Sequence, residues 1–408
     1  MFPLFAIAQE LKASGHTVTV AAESHHATAA SSIGIPLIAI DAVRDSTENK
    51  QKTGLLSKSK KIGELFRTLS PSSIEDEYEI LSPAVKSNDL IIGNQLAYSG
   101  KVASRKWGKP WIFCPASPMA IPSFLDPPQF PYLHKMQRIA ATSGLSQSLF
   151  IKLARHSSQL LMLSNIRFQK RLNVYDNLHP RFEGIYSNLL NIMPVSPAIL
   201  TARSDWPNRT VVTGFNWFEP SFMLNPRELV RLSAFLEAGD RPIVIAPGGI
   251  KRTQPGGFFA ECLAACKLLN ARAIVVAANR FHDQIAASSN VFVTGYIPYS
   301  VIFQNAAAVV HSAGIGTIGW SLRYAVPSLL IPTDWDQFDN AYRVKNLGLA
   351  SVLSKSDLVA PRIAKALESL LGNRSIKASL AQVSKTVAAE DGVKVSLAEI
   401  KSVLGQLI

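Results

Sequence analysis

Short apolar runs alternate with helix-compatible stretches along most of this chain. In the first half they fall at residues 17–21, 35–40, 90–92, 111–113 and 190–195, and in the second at 243–246, 273–278, 291–294, 307–310 and 328–331. Runs of this kind read as buried strands, and their alternation with helical segments predicts parallel α/β sheets. Residues 258–269 have the pattern of the helix that follows the 243–246 strand, and 376–407 read as a helical tail. Two stretches break the rhythm. Residues 46–73 are polar and Lys-rich and predict a solvated loop and helix, whereas residues 115–132, PASPMAIPSFLDPPQFPY, hold too many prolines for a regular element. The second of these predicts a loop that walls a binding pocket. The expected architecture is two doubly wound domains facing across a cleft, residues 1–213 and 241–390, joined by an interdomain segment at 214–240.

Composition narrows the picture. A chain of 408 residues can bury two sizeable cores. Its net charge of +13 suits an anionic substrate or an anionic membrane face. No zinc-finger spacing or nucleic-acid motif accompanies that charge, so nucleic acid is not an expected partner. The three cysteines, Cys114, Cys262 and Cys266, form no disulfide framework and suit a reducing compartment. Cys262 and Cys266, one helical turn apart, read as small buried residues rather than metal ligands. Residues 1–8 lack the basic start of a secretory signal, and no apolar run approaches the ~20 residues needed to span a bilayer. The expectation is a cytoplasmic protein, at most peripheral at the inner membrane face.

The chemistry concentrates at residues 306–340, AAAVVHSAGIGTIGWSLRYAVPSLLIPTDWDQFDN. An apolar strand delivers His311, then Gly314, Gly316 and Gly319, and then a helix begins. Glycines admit a ligand close to the backbone, and the helix start presents unpaired N–H groups to an anion. A second strand ends in Asp334, Asp336 and Gln337, a carboxylate and amide set suited to hydroxyls. In a parallel sheet both strand ends open on one edge. The glycines also spell GxGxxG, with Asp334 near the place of a dinucleotide site's ribose carboxylate, but late in the chain rather than in its first βαβ unit. Asp334-Trp335-Asp336 also matches a metal-holding DxD. With Asp339 the only further carboxylate nearby, it lacks the ligands of an oxygen cage. Neither a metal nor a resident cofactor is expected.

HSAGIGT followed by TDWDQFDNA resembles the C-terminal signature of family 1 / family 28 type glycosyltransferases, enzymes of two Rossmann-like domains with the GT-B fold. Within that group the likeness is to rhamnosyltransferases, sterol glucosyltransferases and macrolide or glycopeptide glycosyltransferases. MFPLFAIAQELKASGHTVTVAA is similar to their N-terminal helix and second strand, SDWPNRTVVTGF to the segment entering the interdomain region, and VFVTGYIPYSVIF to their nucleotide-base loop. The resemblance implies inverting, metal-independent transfer of a hexose from a UDP- or dTDP-linked donor to a hydroxyl of an apolar small molecule or lipid. It further implies that His311, Gly314, Gly316, Thr317, Gly248 and Gly249 hold the diphosphate, His311 by hydrogen bond or charge. Gly248-Gly249 stands where relatives often carry Gly-Ser; Lys251 or Arg252 either replaces the lost hydroxyl or is a solvated surface charge, the second being the simpler reading. Tyr296 is expected to stack on the base and the Ile297 backbone to read its edge. Asp336 and Gln337 are expected to bind sugar hydroxyls, with Asp334 shaping their loop. Asn94, Pro118, Phe124 and Phe130 are expected to line the acceptor pocket, and a helix at 391–408 to pack back on the first domain.

In the family, the catalytic base follows a first strand that lies before the segment matching Met1-Phe2-Pro3-Leu4. The expectation is therefore an N-terminal sheet without its first strand and a base preceding Met1, with His25 and His26 as the substitutes this sequence offers. A nonenzymatic nucleotide-sugar or lipid-binding relative is the reading of a different class, and an NAD-dependent oxidoreductase is a third.

Overall fold

The computed structural model describes residues 2–40, 71–130, 137, 148–220, 226–248, 257–277, 282, 285 and 287–407. Gly249, Lys251, Arg252 and residues 46–70, singled out above, lie outside the described residues.

The second half is built of α7 (Pro226–Glu237), β7 (Ile243–Ile245), α8 (Gly257–Leu268), β8 (Ala273–Val276), β9 (Val291–Thr294), α9 (Tyr299–Phe303), β10 (Ala308–His311), α10 (Ile315–Arg323), β11 (Ser328–Leu330), α11 (Gln337–Asn346) and β12 (Ala350–Val352). Its six strands pair in parallel in the order β12-β11-β10-β7-β8-β9. The central strands β7, β10 and β11 are buried at every position, as a sheet covered by helices on both faces requires. From β7 the chain winds outward to β8 and β9, and from β10 outward to β11 and β12, so the order reverses between β7 and β10. Such a switch point leaves a crevice at the carboxyl ends of its two strands.

The first half comprises α1 (Phe2–Ala13), β1 (Val20–Ala22), α2 (Ala27–Ser32), β2 (Leu37–Ala39), α3 (Pro71–Ser87), β3 (Ile91–Gly93), α4 (Tyr98–Lys106), β4 (Trp111–Phe113), α5 (Ser148–Leu161), α6 (Leu163–Arg171), β5 (Asn191–Met193) and β6 (Thr210–Val212). Here the strands form two parallel sheets, β1-β2 and β3-β4-β5-β6. A doubly wound sheet would place one more strand between β1 and β3. Val20 and Ala22 bond toward β2, and Ile91 and Gly93 toward β4, at 2.9 to 3.1 Å. Backbone groups alternate sides along a strand, so those of Ala21 and Ile92 point away from these partners. Helix α1 joins the two sheets. Its Ile7 and Leu11 share a cluster with Ile92, Ile112 and Ile192, and its Phe5 and Ala6 share another with Val20 and Leu37. Among the described residues, the strands of this half thus fall into two sheets rather than one.

Three helices close the chain, α12 (Ala360–Gly372), α13 (Arg374–Ala389) and α14 (Gly392–Leu407). The expected helical tail is thus broken at Glu390-Asp391. Ile400 and Val403 of α14 pack with Ile7 and Leu11 of α1, on the first half. Strands β6 and β12 were not anticipated, and His311 is the last residue of β10 rather than the first residue beyond it.

The two halves are linked at 214 and again at 390–392, and these crossings touch. A Cβ on Gly392 would lie 2.5 Å from the Gly214 carbonyl oxygen and 2.7 Å from that of Phe215. Gly392→Ala should therefore destabilise the protein by about 1–3 kcal/mol through overpacking against backbone. Ala is otherwise favoured over Gly in a helix by up to ~1 kcal/mol. A raised thermal midpoint for the variant would show that this contact does not limit the crossing.

Candidate functional site

Four parallel strands carry the candidate donor-site residues to one edge of the C-terminal sheet. Gly248 follows β7, His311 ends β10, Asp334 to Gln337 follow β11, and Tyr296 and Ile297 follow β9. At the switch point the β7 and β10 loops are laced together, Ser312 Oγ donating to the Pro247 carbonyl at 2.5 Å. A Cβ on Gly248 would sit 3.6 Å from that same Oγ.

His311 is fully buried. Its Nδ1 accepts the Ala313 N–H at 3.2 Å, which fixes the proton on Nε2. Burial pushes the imidazole down to about 3, so it is neutral. The Nε2 atom is buried and has no protein partner. This makes His311 a hydrogen-bond donor and corrects the charge-pairing half of the expectation for it, because a desolvated ring holds no second proton at neutral pH. Next to it, Ala313 adopts a left-handed backbone with φ 66°, and Gly314 caps α10 without a side-chain bond. Gly316, in the first turn of α10, is exposed, with open space where a Cβ would stand. The turn at Gly316 is thus open to solvent, while the His311 donor is buried at the end of β10.

Thr317 is nearly buried, and α9, which carries Tyr299, packs against α10. Tyr296 is half-buried, and burial raises its phenol above the ordinary range, while Ile297 is a core residue whose side chain packs with Ile302 and Phe303. The linker runs along the same helix. The Trp217 ring lies 4.6 Å from that of Trp320, tilted by 54°, and Phe215 lies against Gly319, where a Cβ would come within 2.8 Å of the ring.

Asp336 stands at the N-cap of α11 and Gln337 is its first residue. Gln337 Oε1 accepts from the Thr333 N–H at 2.9 Å, the Thr333 hydroxyl at 3.1 Å and the Asp334 N–H at 3.0 Å, so its oxygen holds the loop and its amide NH₂ is the end left for a ligand. Burial raises the Asp336 carboxyl, against a hydrogen bond from Asn340 that favours its charged form. Asn340 Nδ2 bridges the Asp336 carboxylate at 3.0 Å and the Ala313 carbonyl at 3.1 Å, linking the Asp336–Gln337 pair to the glycine turn. Asp339 is fully buried, paired with Arg343 at 2.8 Å, and accepts the Gln129 N–H at 3.0 Å.

On the opposing side, Asn94 follows β3 and accepts the Leu96 N–H at 2.9 Å, while its neighbour Gln95 accepts the Ala116 N–H at 2.9 Å. Pro118 is buried at a short turn and Phe124 is exposed. Phe130 departs from the expectation of a pocket wall. It is buried against Ile151 and Phe182 within its own half, since an aromatic ring gains more from a dry cluster than from a wet cleft. His25 and His26 are in a short turn after β1, with His25 Nδ1 3.0 Å from Glu23 and the two rings 3.9 Å apart. Sequence reasoning missed Asn340, although its position one helical turn after Asp336 in DQFDN was a usable signal. Arg343 was legible only toward Asp339, one helical turn before it, since its other partner, Asp126, is 217 residues away.

Among the described residues, no helix is long and apolar enough to cross a membrane. Residues 260–400 match the erythromycin biosynthesis protein CIII-like C-terminal domain. A sterol 3-beta-glucosyltransferase of Kluyveromyces lactis is 29% identical over 222 residues, covering 52% of this chain and 18% of that protein, so this chain spans less than a fifth of that relative's length. The solved glycotransferase of kitacinnamycin superposes with a TM-score of 0.71 at 17% identity, covering 98% of this chain and 95% of the other. A spinosyn rhamnosyltransferase solved with thymidine diphosphate gives 0.67 at 16% identity, covering 97% and 95%. The chain is a homologue of glycosyltransferases, with the GT-B fold along nearly its whole length and an erythromycin biosynthesis protein CIII-like C-terminal domain over residues 260–400.

Proposed function

We propose that this protein is an inverting glycosyltransferase that moves a hexose from a UDP- or dTDP-linked donor to a hydroxyl of an apolar small molecule or lipid. The observation that carries this reading is the switch-point crevice, where a buried, unpartnered His311 Nε2–H and the open Gly316 turn stand beside the Asp336 and Gln337 pair. The first group suits a diphosphate and the second a sugar, and Asn340 couples them. His311 and the α10 backbone would stabilise charge on the departing diphosphate, the interaction that matters most as the glycosidic bond breaks. With Asp336 and Asp339 engaged by Asn340 and Arg343, the site offers hydrogen-bond donors rather than a metal cage to the phosphates, and the reading is metal-independent. The net charge of +13 favours an anionic donor, and contact with an anionic membrane face would bring a lipid acceptor within reach.

The test is calorimetric titration with UDP, dTDP, the corresponding sugar nucleotides and NAD. Asp336→Asn and Gln337→Glu should weaken the sugar nucleotide by about 0.5–3 kcal/mol and leave the bare nucleotide unchanged. Gln337→Glu keeps the oxygen that holds the Thr333 loop, so its effect isolates the lost NH₂ donor. Equal weakening of both ligands would move this pair away from the sugar, and NAD binding without nucleoside diphosphate binding would replace the reading altogether.

A further inference from the structure

Helix α5 buries one side and exposes the other. Ile151 and Ala154 on its inner side pack with Met119, Phe130 and Phe182. On its outer side Leu149, Leu153 and Leu160 are 47%, 52% and 70% exposed. At ~100° per residue these three lie within about 40° of one another around the helix axis. Single exposed leucines are ordinary on a protein surface, whereas an aligned row of them marks a contact face. The charge around this row is of one sign. From Pro127 to Tyr175 the sequence holds no Asp or Glu. Lys152 and Arg155 flank the row, and α6, which begins after Met162 alone, exposes Leu163, Arg167 and Lys170. Two acids approach from elsewhere in the fold, and each is paired with a cation of these helices, Glu183 with Arg155 and Glu75 with Arg171.

We propose that the outer face of α5 docks on an anionic lipid bilayer, Leu149, Leu153 and Leu160 entering the acyl boundary while Lys152, Arg167 and Lys170 meet the headgroups. A helix with leucines on one face and cations beside them binds in this way, apolar burial and attraction to anionic lipid acting together. A second copy of this chain fits less well, because a two-fold contact sets the same cations of both copies against each other. The inner side of α5 rests on Met119 and Phe130 of the proline-rich loop, so docking sets the candidate acceptor wall at the bilayer surface. That last step rests on the transferase reading, and the docking itself does not.

Flotation with vesicles of phosphatidylglycerol and phosphatidylcholine in equal amounts should carry the protein, and vesicles of phosphatidylcholine alone should not. Leu153→Ser combined with Leu160→Ser should lower partitioning roughly 10-fold or more, since both apolar burials are lost. Lys152→Gln and Lys170→Gln should each lower it roughly 5-fold. Lys377→Gln with Lys385→Gln, exposed positions on α13, removes two charges elsewhere and should leave it unchanged. Because the two leucines are exposed, the thermal midpoint of their double variant should match the parent. Leu160→Cys carrying an environment-sensitive dye should brighten on the mixed vesicles, the native cysteines being buried. Parent-like flotation of the leucine variant overturns the proposal, as does an equal loss in the α13 control, which would reduce the effect to net charge. Self-association that the leucine variant abolishes, without flotation of the parent, assigns the face to a second copy instead. Flotation succeeds or fails irrespective of whether UDP or dTDP binds, so failure of the transferase reading is told apart from failure of the docking face.

Discussion

His311→Ala should weaken binding of UDP or dTDP by roughly 10- to 150-fold, the range for one hydrogen bond to a charged group. The ring is buried, its Nδ1 is already an acceptor, and its Nε2–H has no other partner, so no neighbour takes over its role. The same geometry sets the pH dependence. An imidazole in an unfolded chain titrates near ~6.5, whereas burial holds this one down to about 3. The folded pKa is depressed, so the stability contributed by keeping the ring neutral is complete above the unfolded value. It is lost as pH falls from there toward about 3, at up to ~1.4 kcal/mol per pH unit for this group. Nucleotide affinity, by contrast, should show no break attributable to His311 between pH 8 and 5. Urea unfolding and calorimetry across that interval separate the two effects. A binding curve that strengthens as pH drops through the ordinary histidine range, and flattens in His311→Ala, would mean that the ring binds as a cation.

Arg343→Met should cost about 3–5 kcal/mol of stability, because it strands buried carboxylates rather than removing a surface ion pair. Arg343 contacts Asp126 at 2.6 Å and Asp339 at 2.8 Å, with its side chain 13% exposed and that of Asp339 0%. Burial pushes the Asp339 carboxyl above its ordinary range even though Arg343 pulls it back. At Asp126 burial also pushes upward, but Arg343 and Arg203 outweigh it and the net shift is downward. Without the guanidinium both should rise. The penalty for burying them ionised would then be full at neutral pH and shrink as pH falls toward the unfolded carboxylate value. Urea unfolding at pH 7 and pH 5 measures this, and Asp339→Asn in the Arg343→Met background should recover part of the loss. A deficit below ~1 kcal/mol at pH 7 would place the cluster among ordinary exposed pairs.

What was legible in the sequence was local. The runs at 111–113 and 291–294 are β4 and β9 with unchanged bounds, and β4, buried at every position, is apolar on both faces as a covered parallel strand must be. The glycine turn after β10 was legible because only small residues leave room for a ligand beside a helix start. Strand β12, Ala350-Ser351-Val352, was not, since it carries a polar residue at its centre, and β6 follows the turn residue Arg209, whose φ is +57°. The break at Glu390 escaped notice because helical composition continues on both sides of it. The Asp126–Arg343 and Gln129–Asp339 pairs join residues more than half the chain apart, and no spacing rule reaches that far. His311 was legible as the polar residue at a strand end but not as a neutral one, because its protonation follows from a burial that only the packed sheet creates.

The packing of α14 against α1 bears on how the chain comes off the ribosome. Ile7 and Leu11 share their buried cluster with Ile400 and Val403, so α1 is completed only once α14, at the far end of the same fold, has been made. At ~5–20 residues per second, those early side chains wait tens of seconds for their partners. The six-stranded sheet, contained between Ile243 and Val352, has its strands in hand sooner. Folding order therefore runs against synthesis order, and the nascent first half, with its apolar α1 face uncovered, is the stretch on which a holding chaperone would act.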